Sequence, residues 1–389
     1  MQMCVYNEKN MILKNQIVKD VCLALFLVML SRLSYWFVGE VWNFMQHTNV
    51  HLFDLLCQCD ADWYASIVKG GYWKEPRVYH DKVDANWGFF PLYPMVVRSF
   101  VWLTGLSVFH SGVVVSTLLL IVAIVFIINY VSMTRDRSIA ISAAILVAFG
   151  PYSFYFSSLY TESLFILLTV ICFYYLEKEE WIKCGIFGAL LSSTRPTGVL
   201  FIVPLLIKMV FPLIKVRQGL FGIAKSILID ARKLLSLLLI PAGLFAYMTF
   251  LNFHVGDPFV FNDVQIAWGR VSGNPLGVLS NGLLGQGFEG WVESQYLSLW
   301  GLLGVVCSVY LFMQKRFTEG AFGMICILTP MMSSIMAMPR YFIGTIVLIF
   351  SLNDIINRFE KFKWPIITIL SAANILLLAL WFSRHWMTT

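Results

Sequence analysis

Two carboxylates two residues apart, Asp60 and Asp62, sit in the stretch CDADWYASIVKGGY, and NWGFFPLYP begins fourteen residues after its end. At that spacing three uses compete. One carboxylate can take the proton from an acceptor hydroxyl as a general base. The pair can act as an Asp-x-Asp that holds a divalent metal against a diphosphate. Asp60 can also cap a helix that begins at Ala61. Other polar residues that could join them lie far away in the chain. They are Asp54, Asp81 and Asp84, then Tyr160 and Glu162 in SSLYTESLF, and Arg195 in STRPTG. His254, Asp257, Asp263 and Arg270 follow in FHVGDPFVFNDVQIAWGR, then Glu289 and Glu293, and finally Arg340 in PRY. The aromatic residues Trp63, Tyr64, Trp87, Phe89, Phe90 and Tyr93 are of the kind that stacks on a sugar ring or anchors at a membrane interface.

The elements that must position these residues are set by composition. Of the 389 residues 59% are hydrophobic and only 13% charged, about half the charged share of a soluble domain. Apolar runs long enough to cross about 30 Å of hydrocarbon as helices recur along the chain. They show no strand-like alternation, which excludes a β-barrel. The pattern predicts an all-α polytopic membrane protein with about eleven spans, within a range of ten to twelve. They fall near 18–38, 112–132, 138–157, 160–177, 183–195, 197–214, 234–252, 297–314, 321–338, 341–356 and 364–382. The first run is read as a retained span, since it is too long for a removable signal peptide and lacks its cleavage site. No linker, repeat or appended domain divides residues 1–389, so one membrane domain is expected.

Lys and Arg cluster in alternate short loops: Lys9 to Lys19, Arg135 and Arg137, Lys178 and Lys183, Lys215 to Lys233, Lys315 and Arg316, and Arg358 to Lys363. Placing these in the cytoplasm orients the chain. The net charge of +6 is then topological, with no nucleic-acid partner implied. Two long loops, about 39–111 and 253–296, fall outside. The apolar stretch 91–106, which carries Arg98, must lie in the interface or re-enter. All the polar residues named above then collect at the outer face, where charges at span ends line a polar cavity. Eight cysteines are scattered. Cys57 and Cys59 are too close for an unstrained disulfide and too few for a zinc site.

Six stretches, CDADWYASIVKGGY, NWGFFPLYP, SSLYTESLF, STRPTG, FHVGDPFVFNDVQIAWGR and PRY, occur in the order seen in the phosphatidylinositol-glycan class V family. The chain resembles that second GPI mannosyltransferase and its prokaryotic relatives from about residue 57 to 350. It departs where the family usually reads Trp-Asp-Ala and this chain has Cys59-Asp60-Ala61. The resemblance implies a glycosyltransferase C-like bundle with a large first extracytoplasmic loop. It also implies a polyprenyl-phosphate-mannose donor, a lipid or glycan acceptor, and transfer with inversion on the non-cytoplasmic face. That face belongs to the inner membrane in a prokaryote and to the endoplasmic reticulum in a eukaryote. The absence of an Asn-x-Ser/Thr sequon from the outer loops leans toward a prokaryotic relative.

Asp60 matches the family's catalytic aspartate and is expected to be the base. A partly desolvated pocket would raise its pKa toward the working range. A monophosphate donor offers no diphosphate to chelate, so no metal or other cofactor is expected, and Asp62 is assigned to the loop or to acceptor contact. Arg340 is the first candidate for the leaving phosphate because guanidinium pairs with phosphate in a fork. His254 and Arg270 come next, with Asp257 between them. Arg195 either binds substrate or holds a broken helix. Tyr160 and Glu162 either bond sugar hydroxyls or fix their loop. Three readings compete with this one: another polyprenyl-linked sugar, a lipid-carrier flippase, and a non-catalytic subunit. Membrane lipids are the remaining partners, and a small membrane subunit stays open.

Overall fold

The computed structural model describes residues 2–79, 82–216, 219–270, 273–286 and 290–388, so Asp81 and Glu289 lie outside the described residues. The apolar runs form helices almost throughout. Six are long and apolar enough to cross a membrane: Asn15–Gln46, Val108–Thr134, Pro196–Ile214, Ala231–Val255, Trp291–Met313 and Glu360–Phe382. A seventh is added if Met338–Gly344 and Ile346–Asn357, bent by 82° at Thr345, form one broken span. The helices Arg137–Phe149, Trp181–Ser192 and Phe317–Met331 are shorter, and Glu162–Glu177 has 16 residues. Every stretch expected to span contains a helix, although the helices in 138–157 and 321–338 stop early, at Phe149 and Met331, and length and composition support a multi-pass protein with six or seven spans and leave the count of eleven unconfirmed.

Local sequence explains the boundaries. Ser107 caps Val108–Thr134 by accepting from the His110 amide, and Gly105, in the left-handed region at φ 71°, ends the preceding helix Leu92–Thr104. That helix buries Tyr93, Pro94 and Val97 and exposes Met95, Arg98, Trp102 and Leu103. At 13 residues it is short for a span and suits the interfacial placement expected of residues 91–106. Trp181–Ser192 and Ala231–Val255 pack at close range because each presents glycines to the other. A Cβ on Gly243 would meet the Ala189 carbonyl oxygen at 2.0 Å, and one on Gly188 would meet Ile240 at 2.5 Å. Small residues at such contacts let backbones approach, which is how helices associate where lipid removes the hydrophobic drive.

The fold is not wholly α. Arg77–Tyr79 and Lys82–Asp84 form an antiparallel hairpin with Val78 opposite Val83. Three-residue strands leave no periodicity for a hydropathy reading to find. The expected first outer loop is itself an ordered layer, built from Leu52–Leu56, Ala61–Gly70, the hairpin and Leu92–Thr104. Asn86 ties it together: its side-chain amide donates to the Ser66 hydroxyl and the Gly71 carbonyl, and its oxygen accepts from the Trp73 amide. Trp87, Phe90, Tyr247, Leu251 and Val264 then pack this layer onto the second long loop as a small separate core.

Candidate active site

The helix Ala61–Gly70 starts at the base of this layer, and Asp60 occupies its N-cap position. The Asp60 side chain accepts no bond from the helix amides, so capping is not what employs the carboxylate. Cys59 holds φ 53°, an uncommon conformation for a residue with a Cβ, and this turn aims Asp60 inward. Tyr160 fixes the turn from the far side, its hydroxyl donating to the Gln58 carbonyl at 2.9 Å and accepting from the Asp60 amide at 3.0 Å. Asp60 Oδ2 accepts from Arg340 Nη1 at 2.6 Å. Its Oδ1 has no hydrogen-bond partner among the described residues, and the side chain is 32% exposed.

Arg340 lies in the short helix Met338–Gly344, with Pro339 in its first turn, where a missing amide hydrogen costs nothing. Its Nε also lies 3.7 Å from Glu162 Oε1. Glu162 is fully buried in the first turn of Glu162–Glu177, where the helix dipole favours a negative charge. Arg195 reaches the same carboxylate and donates from Nε to the Thr161 hydroxyl at 2.6 Å. The sequence explains its freedom to do so. Pro196 pushes Arg195 into extended backbone, with φ −155° and ψ 149°, which breaks the helix and releases the side chain sideways. Asp60, Arg340, Glu162 and Arg195 thus alternate in sign along one line and sum to zero. Glu162 Oε2 has no hydrogen-bond partner in this buried line.

The remaining expected residues divide. Asp62 is exposed beside Asp60, and its carboxylate makes no hydrogen bond or ion pair among the described residues. His254 faces the Tyr72 carbonyl at 3.0 Å and stacks on Phe250. Asp257 accepts from the Phe259 amide at 2.8 Å. His254 ties its helix end to the first outer loop, Asp257 holds its own turn, and neither joins the charged line. Arg270 donates to Gln265 Oε1 at 2.9 Å and lies within electrostatic reach of Tyr341. Tyr64, Trp87, Phe90 and Tyr93 are buried in the core, which removes them as sugar-stacking or interface residues. Trp63 and Phe89 remain half-exposed, stacked at 5.7 Å with Trp268 edge-on to both. They form an aromatic wall where the two long loops meet.

Arg384 was missed. Its Nε donates to Gln58 Oε1 at 2.6 Å, it is exposed, and its charge is felt at the Cys59 thiol. Gln58 therefore carries Tyr160 on its backbone carbonyl and Arg384 on its side chain, one residue before Cys59. The signal available was a lone Arg just after the last apolar run. Among the described residues no group of three or more His, Cys, Asp or Glu is placed to hold a metal ion. Cys57 and Cys59 are free thiols, and burial pushes Cys57 up to about 12. The geometry offers an exposed carboxylate oxygen, an oriented guanidinium on its other oxygen, a second guanidinium at the mouth and an aromatic wall.

The family model described as Mannosyltransferase (PIG-V) matches residues 30–257, more than half of the chain and the part that holds Asp60, Tyr160, Glu162 and Arg195. No curated protein matches. Among solved structures, the oligosaccharyltransferase of Archaeoglobus fulgidus in its apo form superimposes with a TM-score of 0.45 at 13% identity, covering 96% of this chain. The chain spans about half of that protein, 54% of its length.

Proposed function

The chain belongs to the PIG-V mannosyltransferase family, and on that premise we propose that it transfers mannose from a polyprenyl-phosphate carrier to a lipid or glycan acceptor, with inversion. The observation that carries this reading is the free Oδ1 of Asp60 on a carboxylate whose other oxygen is held by Arg340 at 2.6 Å. An acceptor hydroxyl oxygen bonds to the anomeric carbon while its proton passes to Asp60. The bond from that carbon to the phosphate oxygen breaks, and the electron pair leaves with polyprenyl phosphate. Arg340 orients the base, and Arg340 and Arg384 are the cations assigned to the departing phosphate, which needs preorganised positive charge. Trp63, Phe89 and Trp268 offer the face on which a sugar stacks. An apolar cavity of about 210 Å³ beside Phe342 and Trp300, two residues beyond Arg340, is of a kind that suits a lipid-linked donor.

The eleven-pass, glycosyltransferase C-like arrangement rests on the contacts of successive helix ends. Glu162, Arg195, Arg340 and Arg384 gather at one end. Arg135, Glu177, Lys208, Arg316 and Asp354 gather at another, and the intervening helices alternate between the two. Lys and Arg concentrate at the second end, which supports a non-cytoplasmic site.

The test is transfer of label from polyprenyl-phosphate-mannose by membranes holding each variant. Asp60→Asn is expected to lower the rate by about 10² to 10⁴-fold, while Asp62→Asn costs far less, and transfer persists in excess EDTA. Equal loss in both variants with recovery by manganese would replace the base with a metal pair. Label accepted only from another polyprenyl-linked sugar would keep the chemistry and change the sugar. No transfer from any such donor would favour the flippase or subunit readings.

A further inference from the structure

The helix Glu162–Glu177 leaves the site and ends about 24 Å away, at ~1.5 Å per residue, in a cleft of about 740 Å³. Its floor is a set of closed ion pairs. Arg135 and Arg316 both hold Asp354, at 2.6 and 3.0 Å. Arg316 also holds Glu319, which accepts from the Tyr130 hydroxyl at 2.5 Å. Lys208 meets Glu177 at 2.8 Å. These three cations and three carboxylates cancel. Three charged residues of the lining remain: Lys315, Arg358 and Glu179. Lys315 and Arg358 are exposed and form no close ion pair among the described residues, although the Arg358 charge is felt at Asp354. Arg358 lies over the Tyr310 ring at 5.0 Å. Gln314 and Thr318 add neutral donors, and Phe211, Pro212 and Phe317 form an apolar wall.

We infer that this cleft binds a phosphate-bearing anion, the headgroup of an anionic lipid in the leaflet opposite the catalytic loops. The paired floor is already neutral, so it does not need the ligand and will not move to meet it. Lys315 and Arg358 outweigh Glu179 by one charge and supply the attraction, and an ammonium and a guanidinium suit the oxygens of a phosphodiester. The apolar wall lets acyl chains leave sideways, as basic pockets between transmembrane helices permit. None of the lining residues belongs to the line of charges at Asp60. The site stands whichever sugar is transferred, and only the name of the leaflet rests on the proposed orientation.

Native mass spectrometry of the purified full chain reads this directly, with phosphatidylglycerol or phosphatidylcholine added in detergent and inorganic phosphate in a separate arm. Wild type is expected to retain phosphatidylglycerol over phosphatidylcholine by about tenfold, the size of two favourable cation contacts. The preference should vanish in Lys315→Ala with Arg358→Ala. It should stay in Lys225→Ala with Lys361→Ala, which removes two exposed cations outside the cleft. Retention of inorganic phosphate without a lipid preference, again lost in the first double variant, would assign the same site to a free anion. If neither ligand is preferred, or if the outlying pair costs as much as the cleft pair, the attraction is general surface charge and the site is refuted. Should the double variant fail to elute as a folded species, the single Lys315→Gln and Arg358→Gln variants carry the comparison.

Discussion

Glu162 sits between two guanidiniums with no exposure and one unbonded oxygen, so its charge is needed twice. Glu162→Gln would leave Arg195 without a carboxylate and Arg340 with Asp60 alone, and an unpaired cation in a buried place costs about 3–5 kcal/mol. Its thermal unfolding in detergent is expected to drop sharply, with activity lost as a consequence. A variant that melts like wild type would mean that the line of charges is not structural. Arg384 has the opposite profile. Exposed and held by a single bond to Gln58, it can leave without unfolding anything. Arg384→Ala is expected to raise KM for the donor about tenfold, within the roughly 1.5–3 kcal/mol of a charged hydrogen bond, with a smaller change in kcat. An unchanged KM would leave Arg340 as the sole phosphate cation. The sequence named Asp60, Tyr160, Glu162, Arg195 and Arg340, all of which meet, because each stands in a short motif of fixed order. It could not separate His254 and Asp257 from them, since a polar residue at a span end reads the same whether it holds substrate, a neighbouring loop or its own turn. Arg384 lies beyond the last of those motifs, and only folding brings it beside Gln58.

At the scale of elements, Trp181–Ser192 and Ala231–Val255 depend on contact without side chains. Gly243→Ala would drive a Cβ into the Ala189 carbonyl at 2.0 Å, and neither rigid helix can yield a backbone atom cheaply. The variant is expected to lose most of its folded yield by size-exclusion chromatography, whereas Gly219→Ala, with open space around its Cβ, should behave as wild type. Equal yields would show that these helices separate easily. Hydropathy made the long helices legible because each is a continuous apolar run. Four shorter helices, Arg137–Phe149, Glu162–Glu177, Trp181–Ser192 and Phe317–Met331, were legible as apolar, but only the third was legible as short, since the other ends are set by turns such as those at Gly150 and Arg316 that a hydropathy average smooths over. The hairpin and the buried fate of Tyr64, Phe90 and Tyr93 were illegible for another reason. Aromatics look alike in sequence whether they face lipid, sugar or each other.

For the whole molecule, orientation decides whether a lumenal or periplasmic donor can reach Asp60, and it can be read with thiols. The loop at Glu162 is a poor reporter, because Ser157 to Thr161 are all buried and a cysteine there would stay silent on either side. Cys57 is silent too, with a thiol that burial raises to about 12. Positions at least partly open to solvent serve better. In a chain stripped of its other cysteines, Asp62→Cys and Asp257→Cys are expected to react with an impermeant maleimide added to the non-cytoplasmic side of sealed vesicles. Lys178→Cys and Lys361→Cys should react only after permeabilisation. The charge pattern motivates this, since Lys and Arg crowd the end that holds Glu177 and Asp354. The short helices motivate it as well. Glu162–Glu177 covers about 24 Å of a hydrocarbon layer about 30 Å deep, so it must be completed by flanking turns if it is to cross. If Asp62→Cys is labelled while Asp257→Cys is protected, the two long loops lie on opposite sides and the eleven alternating passes cannot hold. If both react only from the cytoplasm, the proposed non-cytoplasmic donor cannot reach Asp60.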